Sequence, residues 1–319
     1  MNEAKPDAIV IGAGVSGLTT AMCLAEAGTR VAIWTSEPTE ATTSMAAGAM
    51  WGPYHVEPLD MVTAWSSVTL EALQELATQT GAGVRLVPGV EAARHEVDPP
   101  SWGNQLDGFR MCDRSELPPG FSTGWRYTAP LVDMSMYLTY LRRRLDANGV
   151  QIHRQRVAAL VEMAGKADVI VNCAGLGARD LVPDPGVFPV RGQIVVVKNP
   201  GITEFFSEDT GAGEDLLHYY PHQNTVVLGG TAQPGSWNPN SDPETAAAIV
   251  RRCAEVEPSL GGAEIIAHRV GLRPTRSRVR VDSEQLNGTR IVHNYGHGGA
   301  GVTLSWGCAM TATKLALGA

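Results

Sequence analysis

The sequence has no Cys-x-x-Cys pair, no apolar run of the roughly 18 residues that a membrane-spanning helix needs, and no excess of positive charge. Each absence removes a class of protein. The five cysteines (Cys23, Cys112, Cys173, Cys253 and Cys308) are odd in number and widely spaced. Neither a zinc site nor a disulfide framework is expected, and a reducing, cytoplasmic setting fits. The formal net charge of -8 speaks against nucleic acid, whose partners carry a basic face. Without a long apolar run no membrane span is expected. The first apolar segment is read as a strand rather than a signal-peptide core, and Leu315 to Ala319 is not a peroxisomal ending. No Gly-x-Ser-x-Gly elbow and no paired-acid signature appears, so hydrolysis by a protein nucleophile is not expected.

Apolar residues make up 44% of the 319 residues and charged residues 18%, a globular balance. The 35 glycines and 20 prolines show no repeat, which suits an α/β protein rich in turns. Ala8 to Ile11 reads as a buried parallel strand, Val15 to Gly28 as a helix with Gly28 as its stop, and Arg30 to Trp34 as a second strand. Helices are expected over Asp60 to Thr80, Met134 to Asn148, Pro243 to Val256 and Val302 to Leu317. Strands are expected over Ala167 to Ala174, Gln193 to Lys198, Leu216 to Tyr220, Thr225 to Gly230, His268 to Val281 and Arg290 to His293, with shorter candidates between Val84 and Arg110.

The most informative segment is Gly12-Ala13-Gly14-Val15-Ser16-Gly17, set between the first strand and the first helix. Gly12 permits a tight turn, Gly14 lets backbone approach a pyrophosphate, and Gly17 lets helix and strand pack closely. The helix start supplies amide donors for phosphate. Strand, loop, helix and second strand together point to a bound dinucleotide. Its adenosine ribose is expected near Ser36 or Glu37, although Glu37 also reads as a solvated loop acid. Two distant segments bear on which dinucleotide binds. Cys173-Ala174-Gly175 ends a strand in small residues that admit a cofactor. His293 to Thr303 holds a second glycine cradle, Gly298, Gly299, Ala300, Gly301, Val302 and Thr303 leading into a helix, which suits the electron-rich edge of a flavin. The expected cofactor is therefore FAD. His293 and His297 lack a third ligand, and no metal is expected. Arg273 has the opposite parity to Arg276, Arg278 and Arg280, which share a solvated face; it is a candidate for a substrate carboxylate, with an internal salt bridge as its other reading.

The chain resembles the D-amino-acid oxidase family of flavoproteins, in particular bacterial-type members. The match spans Ile9 to Leu18, Thr42-Thr43-Ser44 with Ala46-Ala47-Gly48, Asn172 to Ala178, Arg191-Gly192-Gln193, Leu228-Gly229-Gly230, Gly271 to Arg276 and His293 to Gly307. The resemblance implies that Thr42, Thr43, Ser44, Ala47 and Gly48 also hold FAD. It implies that Arg273 holds the substrate carboxylate and that the Gly299 carbonyl accepts from the substrate amine. It implies a tyrosine before Leu228-Gly229-Gly230 that donates to the carboxylate. Counting without a gap puts His218 there, and one deletion puts Tyr219 there; Tyr219 is the expected residue, with Tyr220 on the opposite side. The family's lid tyrosine has no match in Glu208 to Glu214. The implied reaction is oxidative deamination of neutral D-amino acids, with Cα–H passing as hydride to flavin N5 and molecular oxygen as the final acceptor. D-Aspartate, glycine or sarcosine oxidation are the family rivals. An NAD-dependent dehydrogenase and a flavin-binding protein without turnover are the rivals outside it. A homodimer is one assembly the chain allows.

The expected fold is α/β (α+β overall). A Rossmann-like FAD-binding domain formed by residues 1–55, 150–192 and 282–319 is interleaved with a β-rich, antiparallel-sheet substrate domain formed by 56–149 and 193–281.

Overall fold

The computed structural model describes residues 5–52, 56–209 and 213–319. Its strands, in chain order, are β1 (Ala8–Ile11), β2 (Val31–Thr35), β3 (Val84–Ala93), β4 (Arg110–Met111), β5 (Thr123–Val132), β6 (Gln151–Arg154), β7 (Val169–Asn172), β8 (Phe188–Lys198), β9 (Phe205–Glu208), β10 (Asp215–Pro221), β11 (Thr225–Thr231), β12 (Gln233–Pro234), β13 (Ile265–Leu286) and β14 (Thr289–His297). The helices are α1 (Val15–Glu26), α2 (Leu59–Ala77), α3 (Met134–Ala147), α4 (Ala178–Leu181), α5 (Pro243–Val256) and α6 (Ser305–Leu317).

One mixed sheet runs in the order β4-β5-β3-β9-β10-β11-β8-β13-β14-β7-β1-β2-β6, with β12 added to β8. At one end β6, β2, β1, β7 and β14 are all parallel, the arrangement of a dinucleotide fold. Both faces of β1 are covered, which is why Ala8–Ile11 is apolar without alternation. At the other end the ladder is antiparallel except that β3 lies parallel to β9, so the expected antiparallel sheet is mixed at that point. The 22-residue β13 joins the halves: it pairs with β8 along its first part and with β14 along its second.

The helix starts follow from local chemistry. The Asp133 carboxylate accepts from Ser135 N and Met136 N to cap α3, and Asp242 accepts from Thr245 N to cap α5. The expected start of the last helix moves. Gly298–Ala300 form a 3-10 turn, and α6 begins only at Ser305. Strands β5, β6, β9 and β12 lie outside the strands expected from the sequence. Thr123–Val132 carries Gly124, Arg126 and Pro130, which blur its period, and it becomes a strand because β3 pairs with it along its whole length.

Alternation divides the mixed half into two faces. Phe206, Leu217, Tyr219, Val226, Leu228, Val195 and Val197 pack with each other and against α5. Residues of the opposite parity, among them Phe205, Tyr220, Val227 and Val196, join the large core beneath α1, α2 and α3. The second face carries the site. No helix among the described residues is long and apolar enough to cross a membrane.

Candidate active site

A cleft of about 1530 Å³ opens between the carboxyl ends of the parallel strands and the second face of the mixed half. Its dinucleotide end is built by glycine. Gly12 adopts φ +109°, and a Cβ there would overlap the Cys173 carbonyl oxygen; a Cβ at Gly17 would overlap the Gly12 carbonyl. The turn therefore closes only without side chains, and it brings β1, β7 and α1 together. Val15 N, at the start of α1, donates to Ser44 Oγ over 2.9 Å, which draws the Thr42–Ala47 segment over the loop. Thr43 Oγ1 donates to Leu272 O and ties the same segment to β13.

Gly12 to Ser16, Ser36, Glu37, Thr42, Thr43, Ser44, Ala47, Gly48, Cys173, Ala174, Gly175, Gly298, Gly299, Gly301, Val302 and Thr303 all line this one cleft. Two residues of the expected set do not. Gly17 is covered by its own turn, and Ala300 is 1% exposed among Val62, Trp65 and Leu304. Glu37 forms an exposed ion pair with Arg154 at 3.2 Å, so Ser36 is the less engaged of the two ribose candidates. Sequence reasoning missed Gln155 to Ala158, which follow β6 and line the same end. Their spacing carries no glycine signature, and only the position of β6 beside β2 brings them there.

Among the described residues no group of three or more His, Cys, Asp or Glu side chains is arranged to hold a metal ion. The ring nitrogens of His293 meet Asn172 and Glu284, and His297 Nε2 meets Asn294 Oδ1 at 3.0 Å. Burial pulls His297 down from its ordinary 6.5 to about 4. The unfolded chain therefore binds more protons between those values, and this contribution to stability is present above pH 6.5 and lost as the pH falls toward 4. Its size is about 3 kcal/mol. Thermal melts of the wild type and of His297→Gln over that range should show a shallower acid loss in the variant. Parallel curves would mean that His297 is not held neutral.

At the other end of the cleft Arg273 projects from β13. A Cβ on Gly192 would lie 2.6 Å from its guanidinium, so this face of β8 must be bare backbone for the arginine to lie flat. The neighbouring Arg191 is buried and fixes the strand through Asn238 O, Gln233 and Gln193. Arg273 Nη1 donates to Thr231 O over 2.9 Å. Arg276, expected on a solvated face, instead pairs with Asp184 at 3.0 Å, and Arg280 bonds Tyr295 and Asp282; a register shift between Thr275 and Arg280 breaks the simple alternation.

The Tyr219 expectation is corrected here. Its ring stacks on Phe206 at 5.8 Å on the α5 side, away from the cleft. His218 and Tyr220 have the opposite parity, line the cleft, and stack on each other at 4.4 Å. The His218 ring lies directly over Gly229, where a Cβ would overlap it. Burial, with the charges of Arg273 and Arg252 adding to it, pulls His218 down to about 3, so its imidazole is neutral at physiological pH. Of the expected lid segment, residues 210–212 lie outside the described residues, while Glu208, Asp209, Gly213 and Glu214 line the cleft.

A glycine-bedded cleft at the carboxyl ends of parallel strands, long enough to run from a phosphate turn to a second glycine turn, defines a flavin-dinucleotide oxidoreductase. The donors at the start of α1 and the small residues at Cys173–Gly175 and Gly298–Thr303 fit that cofactor in kind and in space. The family model described as "FAD dependent oxidoreductase" matches residues 7–315. The chain is 48% identical to a D-amino-acid oxidase of Streptomyces coelicolor over 99% of this chain and 98% of that one. It is 47% identical to a D-amino-acid oxidase of Rubrobacter xylanophilus, covering 97% and 95%. In fold it is similar to a glycine oxidase from Geobacillus kaustophilus, with a TM-score of 0.82, 20% identity, and 98% and 94% of the two chains covered. The chain belongs to the family of FAD-dependent oxidoreductases that includes the D-amino-acid oxidases. Its cofactor is FAD.

Proposed function

We propose that this chain catalyses the oxidative deamination of D-amino acids, with neutral side chains as its ordinary substrates. The observation that carries the reading is Arg273, which presents a guanidinium on the same cleft as both glycine turns. A planar, permanently charged fork suits a carboxylate held by two bonds. His218 stands beside it and, being neutral, donates one ring N–H to the same carboxylate without adding charge. The Gly299 carbonyl, on the exposed 3-10 turn across the cleft, accepts from the substrate amine. Two anchored groups on one carbon fix the direction of its Cα–H bond. The D configuration is taken from the relatives that the chain resembles. Bound FAD supplies the two-electron acceptor, and its reoxidation by molecular oxygen gives hydrogen peroxide. The imine product takes up water and releases ammonia and a 2-oxo acid. Residues 1–55, 150–192 and 282–319 serve as the FAD-binding part, with 53–55 and 1–4 outside the described residues, and 56–149 with 193–281 as the substrate part.

At neutral pH His218 is too weak a base to take the proton of the substrate ammonium. The neutral amine must then come from solution, and kcat/KM should rise toward alkaline pH. A profile flat from neutral to alkaline pH would sink this account of the proton. The reading as a whole is tested on the purified yellow protein by peroxide release with a panel of D- and L-amino acids, D-aspartate and glycine. Turnover confined to D-amino acids other than D-aspartate supports it; a yellow protein that releases no peroxide overturns it.

A further inference from the structure

A row of polar side chains runs from the surface to the cofactor cleft across three strands. It begins at Glu284 on β13, whose side chain is half exposed. Glu284 Oε1 meets His293 Nε2 on β14 at 2.8 Å. His293 Nδ1 meets Asn172 Nδ2, at the end of β7, at 3.3 Å. Asn172 Oδ1 accepts from Ala174 N over 3.1 Å, and Ala174 lines the cleft. Asn172 and His293 are both completely buried.

The direction of the donors along this row is fixed. Ala174 N can only donate, so the Asn172 atom facing it is the carbonyl oxygen, and the group facing His293 is the NH2. His293 Nδ1 must then accept, which places the single ring proton on Nε2, toward the Glu284 carboxylate. Burial pulls His293 below its ordinary 6.5, with the Glu284 bond working against the shift. The charged groups facing the ring are Glu284, Arg280 and Asp282, all on β13. β7 presents the neutral Asn172, and Tyr295 on β14 stands edge-on at 5.8 Å with its hydroxyl donating to Asp184.

The turn that Asn172 holds touches both ends of the cleft. On one side the Cys173 carbonyl fills the space that a Cβ of Gly12 would take, against the phosphate turn. On the other side Gly175, at φ +56°, faces the residue after Arg273: a Cβ there would lie 3.7 Å from Pro274 Cγ. Cys173–Gly175 therefore form a brace between the phosphate turn and the strand that carries Arg273. We propose that Asn172 is a positioning residue for FAD, and that its amide, oriented by the imidazole of His293, holds this brace in place. Protonating His293 sets an Nδ1–H against the Asn172 NH2, donor against donor. The amide must then turn its oxygen to the ring, Ala174 N loses its acceptor, and the brace loosens. Because the folded-state value of His293 is depressed, FAD affinity is complete above pH 6.5 and falls as acid overcomes the burial. This inference depends on the cofactor alone and not on which substrate is oxidised.

The test follows FAD itself. Holoenzyme is diluted and released FAD is read by its fluorescence, at about pH 7.5 and about pH 5.5, on either side of the ordinary histidine value. Asn172→Leu, of similar size, should raise the Kd on the order of tenfold or more at the higher pH, since it leaves a buried N–H without an acceptor. Asn172→Asp keeps an acceptor for Ala174 N and offers one to a protonated His293 as well. Its Kd should lie nearer that of the wild type at the higher pH and should rise less on acidification. Wild-type affinity in Asn172→Leu overturns the proposal. So does the same acid dependence of the Kd in the wild type and in Asn172→Asp. A change of packing alone would not reverse the pH profile in this way. If Asn172→Leu does not fold, the comparison of the wild type with Asn172→Asp still decides.

Discussion

Replacing Arg273 by alanine should lower kcat/KM for D-amino acids on the order of 100-fold or more, mostly through KM, while the protein stays yellow. Removing one partner of a desolvated charge pair costs about 2–5 kcal/mol, since the substrate carboxylate is left facing an unpaired, partly dry surface. The guanidinium lies over Gly192 on β8 and donates to Thr231 O, whereas the phosphate turn is built at Gly12, so FAD retention is the internal control. Arg273→Lys should recover only part of the loss, because an ammonium cannot form the two parallel bonds of the fork. Steady-state kinetics with one neutral D-amino acid and the visible flavin spectrum are sufficient. A KM near that of the wild type would remove Arg273 from the site.

Replacing Gly12 by alanine should yield a colourless protein of much lower stability. The residue sits at φ +109°, and its missing Cβ points at the Cys173 carbonyl, with the carbonyl carbon only 3.0 Å away. The backbone strain costs about 1–3 kcal/mol. Overpacking costs about another 1–3 kcal/mol. The sum is a large part of a typical folding free energy of about 5–15 kcal/mol. The damage falls where Gly12 N donates to Trp34 O and Cys173 N donates to Ile11 O, so it separates the strands that present the phosphate turn. Flavin content after purification and a thermal melt measure it. Wild-type colour together with a wild-type melting temperature would mean that this crossover is not the cradle of the cofactor.

The dinucleotide end was legible because its physics is local. Gly12, Gly14 and Gly17 answer demands made within one turn, and Ala8–Ile11, α1 and β2 follow each other without interruption in the chain. The substrate end was not. Tyr219 was preferred as a phenol suited to the role, yet a one-residue difference in register reverses every side chain of a strand. Only the pairing of β10 with β9 and β11 turned His218 and Tyr220 to the cleft and Tyr219 to α5.

Glu91, which lines the cleft, shows the same limit more sharply. It is a lone acid within Val84–Ala93, thirty residues and more from any glycine motif, and nothing in its neighbours marks it. Its exposure to the cleft comes from three pairings between segments distant in sequence. By itself the sequence determined the class of cofactor, the glycine turn expected to hold its phosphates, and the arginine expected to meet the substrate. Those depend on backbone geometry within a few residues and on a residue type with one strong partner. The tertiary structure alone decided which aromatic faces the cleft and which faces α5, because strand register is fixed by burial across the whole sheet rather than by any residue in the strand.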